Sequence, residues 1–398
     1  MTISALVLAE APTKLWGLSS SERLRRQLKE IGGVIGPGPE ASLPASGQVL
    51  LLNGSYLFEI RTLQGLLARP DSMLFAPADG RPAAAFVDAA RARETMDFLA
   101  QPGASMPAGL HALHPGDLAA FNRALRSVHP PLLEIITEAR HEELENLLYG
   151  HAYRGITDFV TKFLWPRPAR RLVHWCARLG LSPNTVTTAG LLLVVAACWY
   201  FRHGEYSVGL LAGWIMILLD TVDGKLARVT IQSSKFGNLY DHAIDLVHPP
   251  FWYIYWGLSL SAVPAFAGLD FPAQCWLLVI AYGAGRLVEL LFYGLGDCGI
   301  YTWRPLDAWF RLITARRNPC LILLTLSVLI GRPDWGFLWV VIWSALTTAF
   351  LLLRLLHGLV VRLTSGPLTS WLKVENVASG PHARSFRIFG RTGGAFRA

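Results

Sequence analysis

From about Asn184 onward the chain repeats one pattern: an apolar stretch about as long as a bilayer is thick, then a short polar loop. A helix crosses the hydrocarbon core in about 20 residues. Six stretches are of roughly that length, at residues 184–202, 206–227, 238–262, 273–295, 317–332 and 336–361. Any one of them alone reads equally well as a buried core helix; six in series do not. Backbone in lipid must satisfy its hydrogen bonds within its own segment, so this half of the chain is predicted to be a bundle of six transmembrane α-helices.

Lysine and arginine set the expected orientation. Lys225, Arg228 and Lys235 follow the second stretch, and Arg304, Arg311, Arg316 and Arg317 follow the fourth. Arg362, Lys373, Arg384, Arg387, Arg391 and Arg397 follow the sixth, whereas the opposite loops hold only Arg202 and Arg332. Both termini are therefore expected on the cytoplasmic side of a bacterial-type inner membrane. A net charge of +8 agrees with that bias and with attraction to anionic lipid headgroups. No basic stripe is interleaved with aromatics, so nucleic acid is not an expected partner. The five cysteines are scattered without metal-type spacing and read as reduced packing residues. The opening MTISALVLAEAPTKLWG has neither a charged start nor a long apolar core, so it reads as a first strand and not as a signal peptide.

Residues 1–125 look water-soluble. SALVLAE, QVLLLNG, SMLFAPA and AAFVDA read as strands, while SSERLRRQLKEIG, EIRTLQGLLA and ARARETMDFLA read as amphipathic helices. Their alternation predicts an α/β domain with a largely parallel sheet. The order of strand, loop and helix loosely resembles the start of the sugar nucleotidyltransferase fold. The chemistry of that fold is missing: the first loop is AEAPTKLWG with no glycine-rich cradle, and Asn53-Gly54 stands where a metal-binding aspartate is placed. The domain is expected to be a degenerate, catalytically silent scaffold. Residues 126–183 are expected to connect the two parts through a basic amphipathic helix in the headgroup layer, with Arg154, Lys162, Arg167, Arg170 and Arg171 in reach of phosphates. Residues 184–365 would be the membrane domain and 366–398 a mobile cytoplasmic tail.

The chemistry concentrates in DTVDGKLARVTIQSSKFGNLYDHAID, residues 220–245. Asp220 and Asp223 are three apart and Asp241 and Asp245 four apart, so each pair shares a helix face. One pair closes the second apolar stretch and the other opens the third, so a short loop lets the two faces meet. Ionised carboxylates at such depth cost roughly 2.5–3.5 kcal/mol each on insertion scales. Divalent cations are the economical compensation, and an all-oxygen donor set favours Mg²⁺ or Mn²⁺ over Zn²⁺. Four carboxylates on two facing helices suit two such ions about 4 Å apart, an arrangement used for phosphoryl chemistry. Gly224 and Ala227 leave room against the helix, Arg228 can fork onto a diphosphate, Ser234 offers a hydroxyl, and Gly237 permits close backbone approach.

The full pattern, Asp-x2-Asp-Gly-x2-Ala-Arg-x8-Gly-x3-Asp-x3-Asp, resembles the signature of the CDP-alcohol phosphotransferases at every fixed position. That resemblance covers about residues 150–365 and leaves the N-terminal domain outside. It implies that Asp220 and Asp241 touch both metals, Asp223 the first and Asp245 the second, with Asp245 also the base that deprotonates the acceptor hydroxyl. It implies that Gly224, Ala227, Arg228, Ser234 and Gly237 hold the CDP moiety, and that Pro183, Asn184 and Thr187 of SPNTVT line the cytidine pocket. It implies a transferase of phospholipid biosynthesis that moves a phosphatidyl group from a CDP-alcohol to a hydroxyl acceptor and releases CMP, working as a membrane homodimer. A CDP-polyol donor with a polyol-phosphate acceptor, as in a di-inositol-phosphate synthase, is the alternative within the family.

Weaker signals concern the acceptor. Arg286 and Glu289 lie one turn apart in the fourth stretch and read either as a structural ion pair or as an acceptor site. Arg316, Arg317 and Asn318, which open the fifth stretch, either are there for the positive-inside bias or form an acceptor-phosphate site, and Arg354 raises the same question. His248 faces the acceptor or bonds a carbonyl freed by Pro249 and Pro250. A cation transporter with an acidic metal site is the rival of another class; it predicts charges spread along several spans, whereas here they cluster at one end.

Overall fold

The computed structural model describes residues 3–35, 43–44, 46–101, 106–374 and 378–390. Arg391 and Arg397 lie outside the described residues, as does the rest of the far tail. The chain begins with β1 (Ile3–Val7), α1 (Ser20–Glu30), β2 (Gly33–Ile35), β3 (Gln48–Leu52), β4 (Tyr56–Phe58) and α2 (Ile60–Leu67). It continues with β5 (Ser72–Phe75), β6 (Pro82–Asp88), α3 (Ala92–Ala100), β7 (His111–Leu113), β8 (Phe121–Asn122), β9 (Ser127–Val128), β10 (Leu133–Ile135) and α4 (His141–His151).

Side chains alternate along β3 as the two-residue period of a strand requires. Val49 and Leu51 join Met73, Val87 and Phe98 on one side; Leu50 and Leu52 join Leu24, Leu28, Leu63 and Leu66 on the other. The sheet is thus covered on both faces, by α3 and by α1 with α2. Its order is β2-β1-β3-β6-β5-β7. It is mixed, not largely parallel: β6 lies between β3 and β5 and runs antiparallel to both. The reason is local, because residues 76–81 close as a tight turn with Ala76 N donating to Arg81 O (2.9 Å). So short a link allows only antiparallel pairing. The soluble region also runs past residue 125. β10 pairs with β4 at Glu134↔Leu57, and α4 places Leu144 in a core with Leu15 and Leu57.

After a π-helical turn over Val160–Leu164, the basic helix α5 (Pro166–Arg178) leads into α6 (Pro183–Arg202), α7 (Tyr206–Val229), α8 (Lys235–Leu258) and α9 (Phe271–Phe292). The short helices α10 (Ile300–Trp303) and α11 (Pro305–Arg311) precede α12 (Arg317–Leu329), α13 (Pro333–Ser365) and α14 (Ala383–Phe389). Trp175 and Leu179 of the α5 region are exposed, as an interfacial helix requires.

Four helical segments, α6, α7, α9 with its following turn to Leu295, and α13, are long and apolar enough to cross a membrane. The expected count of six is not reached on those criteria. α8 has 24 residues but carries Lys235, Asp241 and Asp245 in its first half, and α12 has only 13 residues. Large apolar side chains such as Leu192, Leu211, Ile280, Leu290 and Leu353 point outward, while Phe201, Trp252, Trp256, Leu321 and Phe337 fill the interior. This is the distribution of a bundle whose solvent is lipid, and the chain reads as an integral membrane protein.

The stretch after Gly366, expected to be mobile, is packed in its described part. Leu368, Trp371, Leu372, Phe386 and Phe389 are buried with Phe292, Tyr301 and Trp303. The aromatic residues that hold it are far apart in sequence, which hides the contact from a local reading.

Candidate active site

α7 carries Asp220 and Asp223, and α8 carries Asp241 and Asp245, as the spacing predicts. The return between them is tight. α7 ends at Thr230, whose hydroxyl donates to Leu226 O (2.7 Å), and Gln232 N donates to Ala227 O (2.8 Å). Ile231 between them has φ of 50°, and Ser234 caps α8 by accepting from Gly237 N (2.9 Å). A Cβ on Gly237 would lie 2.6 Å from Asn184 Oδ1 and 2.9 Å from Ser234 Oγ, so only glycine lets α6 and α8 approach this closely.

Carboxylate oxygens of Asp220, Asp241 and Asp245 lie within 4.8 Å of one another. Asp223 is buried on the neighbouring turn. The Thr187 hydroxyl of α6 donates to its Oδ2 (2.5 Å), and its Oδ1 is buried with no hydrogen-bond partner among the described residues. Arg317, at the start of α12, forks between Asp220 and Asp245: Nη2 reaches Asp220 Oδ2 at 2.6 Å and Nη1 ion-pairs with Asp245. The site thus offers clustered oxygens, an orphaned carboxylate oxygen and a cation already bridging two of the aspartates. Hard divalent cations suit that donor set.

Two cavities meet at these carboxylates, and Gly224 and Asp241 line both. The smaller is a slot walled by Pro183, Asn184, Thr187, Ala227, Ser234 and Gly237, the residues predicted to hold the nucleotide. The larger, about 180 Å³, takes Asp220, Asp245, Arg228, Arg286, Arg316 and Arg317 from the predicted set. His248 lines neither. Its Nδ1 lies 2.6 Å from Ile244 O and its ring packs on Trp252, while the Tyr282 hydroxyl lies 3.4 and 3.0 Å from Asp245 O and Leu246 O, the carbonyls that Pro249 and Pro250 leave free.

The larger cavity also holds Asn318 and residues that the sequence pattern does not single out as a site: Thr157, Asp158, Thr161, Tyr282 and Arg311. Asp158 accepts from Thr161 N (3.0 Å) and from Asn318 Nδ2 (2.8 Å). The Thr-Asp-x-x-Thr start of the π-helical turn, a capping signal, is the one local hint. Arg154, expected in the headgroup layer, instead faces this cavity. Burial, and after it Arg228, Arg126, Arg311 and Arg316, push the Arg154 guanidinium down to about 9, and burial beside Arg316 brings Arg311 to about 10. Nε of Arg286, Arg311 and Arg316 and Nη1 of Arg311 are buried without a hydrogen-bond partner among the described residues. Glu289 alone ties Arg286 (3.0 Å) and Arg316 together, with Tyr301 donating to it at 2.7 Å. Arg286 and Glu289 therefore form an ion pair, with Arg286 lining the larger cavity. Arg354 is structural: it forks onto buried Asp307 at 2.6 and 2.9 Å.

Residues 180–360 match the model of the CDP-alcohol phosphatidyltransferase family. Among curated proteins, Cholinephosphotransferase 1 of Gallus gallus is 32% identical over 127 residues, covering 29% of this chain and 36% of its own length. Archaetidylinositol phosphate synthase of Pyrococcus horikoshii is 38% identical over 82 residues, 20% of this chain and 42% of that protein. Phosphatidylinositol phosphate synthase of Streptomyces avermitilis is 33% identical over 132 residues, 33% of this chain and 50% of that protein. The chain thus spans between about a third and a half of the length of these relatives. The matched region contains both aspartate-bearing helices and the nucleotide slot. Residues 180–360 of this chain are thus similar to a CDP-alcohol phosphatidyltransferase domain.

Proposed function

We propose that the chain is a membrane enzyme that transfers a phosphatidyl group from a CDP-alcohol to an acceptor hydroxyl and releases CMP. One observation carries this: all eight signature positions, from Asp220 to Asp245, line a narrow slot and the cationic cavity that adjoins it. Asp220, Asp223, Asp241 and Asp245 would hold two divalent cations, Mg²⁺ or Mn²⁺, whose charge offsets that of the diphosphate and of the departing CMP. Thr187 keeps Asp223 turned toward its neighbours. Arg228, anchored at Nη1 by Ala152 O (3.0 Å), presents its remaining donors to the diphosphate. Asp245, which lines the cationic cavity, takes the acceptor proton. The acceptor oxygen then bonds to the β-phosphorus as its bond to the CMP oxygen breaks.

The cationic cavity supports an acceptor that itself carries a phosphate. Arg154 and Arg311 are held below the ordinary arginine range by burial among other cations, a cost that an anionic ligand reverses. A neutral diacylglycerol hydroxyl leaves those guanidiniums uncompensated, while a phosphorylated polyol satisfies them, with Asp158, Thr157 and Thr161 as acceptors and donors for its hydroxyls. Two of the relatives are, by name, an archaetidylinositol phosphate synthase and a phosphatidylinositol phosphate synthase.

In this reading α8 and α12 complete six crossings, with their charged ends and both termini on the cytoplasmic side, as the lysine and arginine bias supports. The resemblance also supports a homodimer. The N-terminal domain is a silent scaffold: the loop after β1 is not open for a nucleotide but docked, with buried Trp16 donating from N to Glu145 Oε1 (2.7 Å) and from Nε1 to Glu145 O (3.1 Å). The test is CMP release by the purified full chain with Mg²⁺ or Mn²⁺, across CDP-diacylglycerol and CDP-polyols paired with polyol phosphates, free polyols and diacylglycerol. Turnover confined to phosphorylated acceptors is expected. No CMP from any pair would sink the enzyme reading, and equal rates with free polyols would sink the acceptor assignment. CTP-dependent pyrophosphate release would overturn the silent scaffold.

A further inference from the structure

The soluble domain touches the catalytic helix at one chemically specific place. Arg23 on α1 is 4% exposed, and its Nη2 donates to Leu15 O (2.9 Å) and across the domain boundary to Val229 O (3.0 Å). One turn on, Arg26 Nη1 donates to Thr230 O (2.7 Å), with its Nε held by Glu22 (2.9 Å). Val229 and Thr230 are the last residue and the cap of α7. Their carbonyls belong to the set that a helix leaves without intrahelical partners, at the end where the helix dipole is negative. Two guanidiniums from another domain supply both missing donors.

The turn beyond this helix end needs holding. Ile231 is a β-branched residue in the left-handed region, a strained conformation that persists only where its surroundings over-determine it. Gln232, Ser233 and Ser234, directly after it, wall the nucleotide slot together with Ala227 and Gly224. The same last turn of α7 carries Arg228.

We infer that Arg23 and Arg26 of the soluble domain are positioning residues that clamp the C-terminal end of α7, holding in shape the strained turn that forms the nucleotide slot. They touch no reacting atom, and the inference rests on the proposed use of that slot for the CDP donor. The soluble domain is then a structural part of the donor site, which accounts for a nucleotidyltransferase-like fold without nucleotidyltransferase chemistry.

The test uses the full chain in detergent or nanodiscs with Arg26→Gln, Arg23→Met and Arg23→Lys. Arg26 is partly exposed, so its loss is expected to leave folding intact even where Arg23→Met does not. CMP release measured against each substrate should show the KM for the CDP donor raised about tenfold, the size of a lost charge at a partly buried helix end. The KM for the acceptor should stay unchanged, and Arg23→Lys should recover most of the effect. Hydrogen exchange of the amides of residues 228–234 should quicken by a similar factor. A merely structural role lowers the amount of active enzyme and leaves both KM values alone; that result overturns the inference. Unchanged exchange in 228–234 overturns it as well. If the wild-type chain releases no CMP, the enzyme reading has failed, and the exchange rates alone then decide whether the clamp exists.

Discussion

Thr187→Val probes the catalytic geometry with the least disturbance. Valine matches threonine in shape, so the buried site between α6 and α7 keeps its packing and loses only a hydroxyl. That hydroxyl lies 2.5 Å from Asp223 Oδ2 and 3.1 Å from Pro183 O, and its single hydrogen can serve one of them. The shorter distance, and the charge the carboxylate would carry with a cation bound, assign it to Asp223. Hydrogen bonds to charged groups contribute about 1.5–3 kcal/mol net. At 1.4 kcal/mol per factor of ten, the variant should lose about ten- to a hundredfold in kcat/KM. Because Asp223 Oδ1 already lacks a partner, the loss leaves the carboxylate free to rotate. The half-saturating concentration of Mg²⁺ or Mn²⁺ should therefore rise about tenfold or more, as when a group behind a metal ligand is removed. The assay is CMP release over a metal titration, with thermal unfolding followed in parallel. Unchanged metal dependence and turnover would show that the hydroxyl bonds Pro183 O as an ordinary helix back-bond, and would refute its role in aiming Asp223.

Gly237→Ala must push Asn184 or Ser234 aside, so CDP-donor KM should rise about tenfold while acceptor KM holds; equal shifts in both would refute the slot assignment. Asp245→Asn keeps the size but not the basicity, so kcat should fall about 10²–10⁴-fold; activity within a factor of a few of wild type removes Asp245 as the base. Arg354→Met strands buried Asp307 and should cost about 3–5 kcal/mol of stability, seen as a lowered midpoint in thermal unfolding, with acceptor KM unmoved in the folded fraction. The chain should also lose stability in mild acid. Burial and the adjacent His151 push His129 down to about 4, so the folded form favours the neutral ring. That contribution is complete above pH 6.5 and is lost as pH falls toward 4, amounting to about 3 kcal/mol at 1.36 kcal/mol per unit. Burial alone would raise Glu59, but His151 and Arg61 hold it at about 2, so it adds a further loss below pH 4.5. Unfolding midpoints between pH 7.5 and 5 should fall, and His129→Gln should flatten the slope; an unchanged slope in that variant would rule out His129 as its source.

The sequence by itself determined where the four aspartates meet. Three- and four-residue spacing on a helix places Asp220 with Asp223 and Asp241 with Asp245 whatever the rest of the fold does, and a loop too short for any other return brings the pairs together. Apolar runs likewise determined that this half lives in lipid. Tertiary structure alone decided what each cation does. Arg317, Arg311 and Arg354 look alike in sequence, among loop and helix residues of one basic region. One bridges two catalytic aspartates, one lines a cavity with two nitrogens lacking hydrogen-bond partners among the described residues, and one is locked to Asp307, because each role is set by which acceptor lies across a helix contact. For the same reason the tail packs where its composition suggests mobility, and Arg23, about 200 residues from Val229 along the chain, closes the end of the catalytic helix. A charge's partner depends on packing between segments, and no periodicity within one segment encodes it.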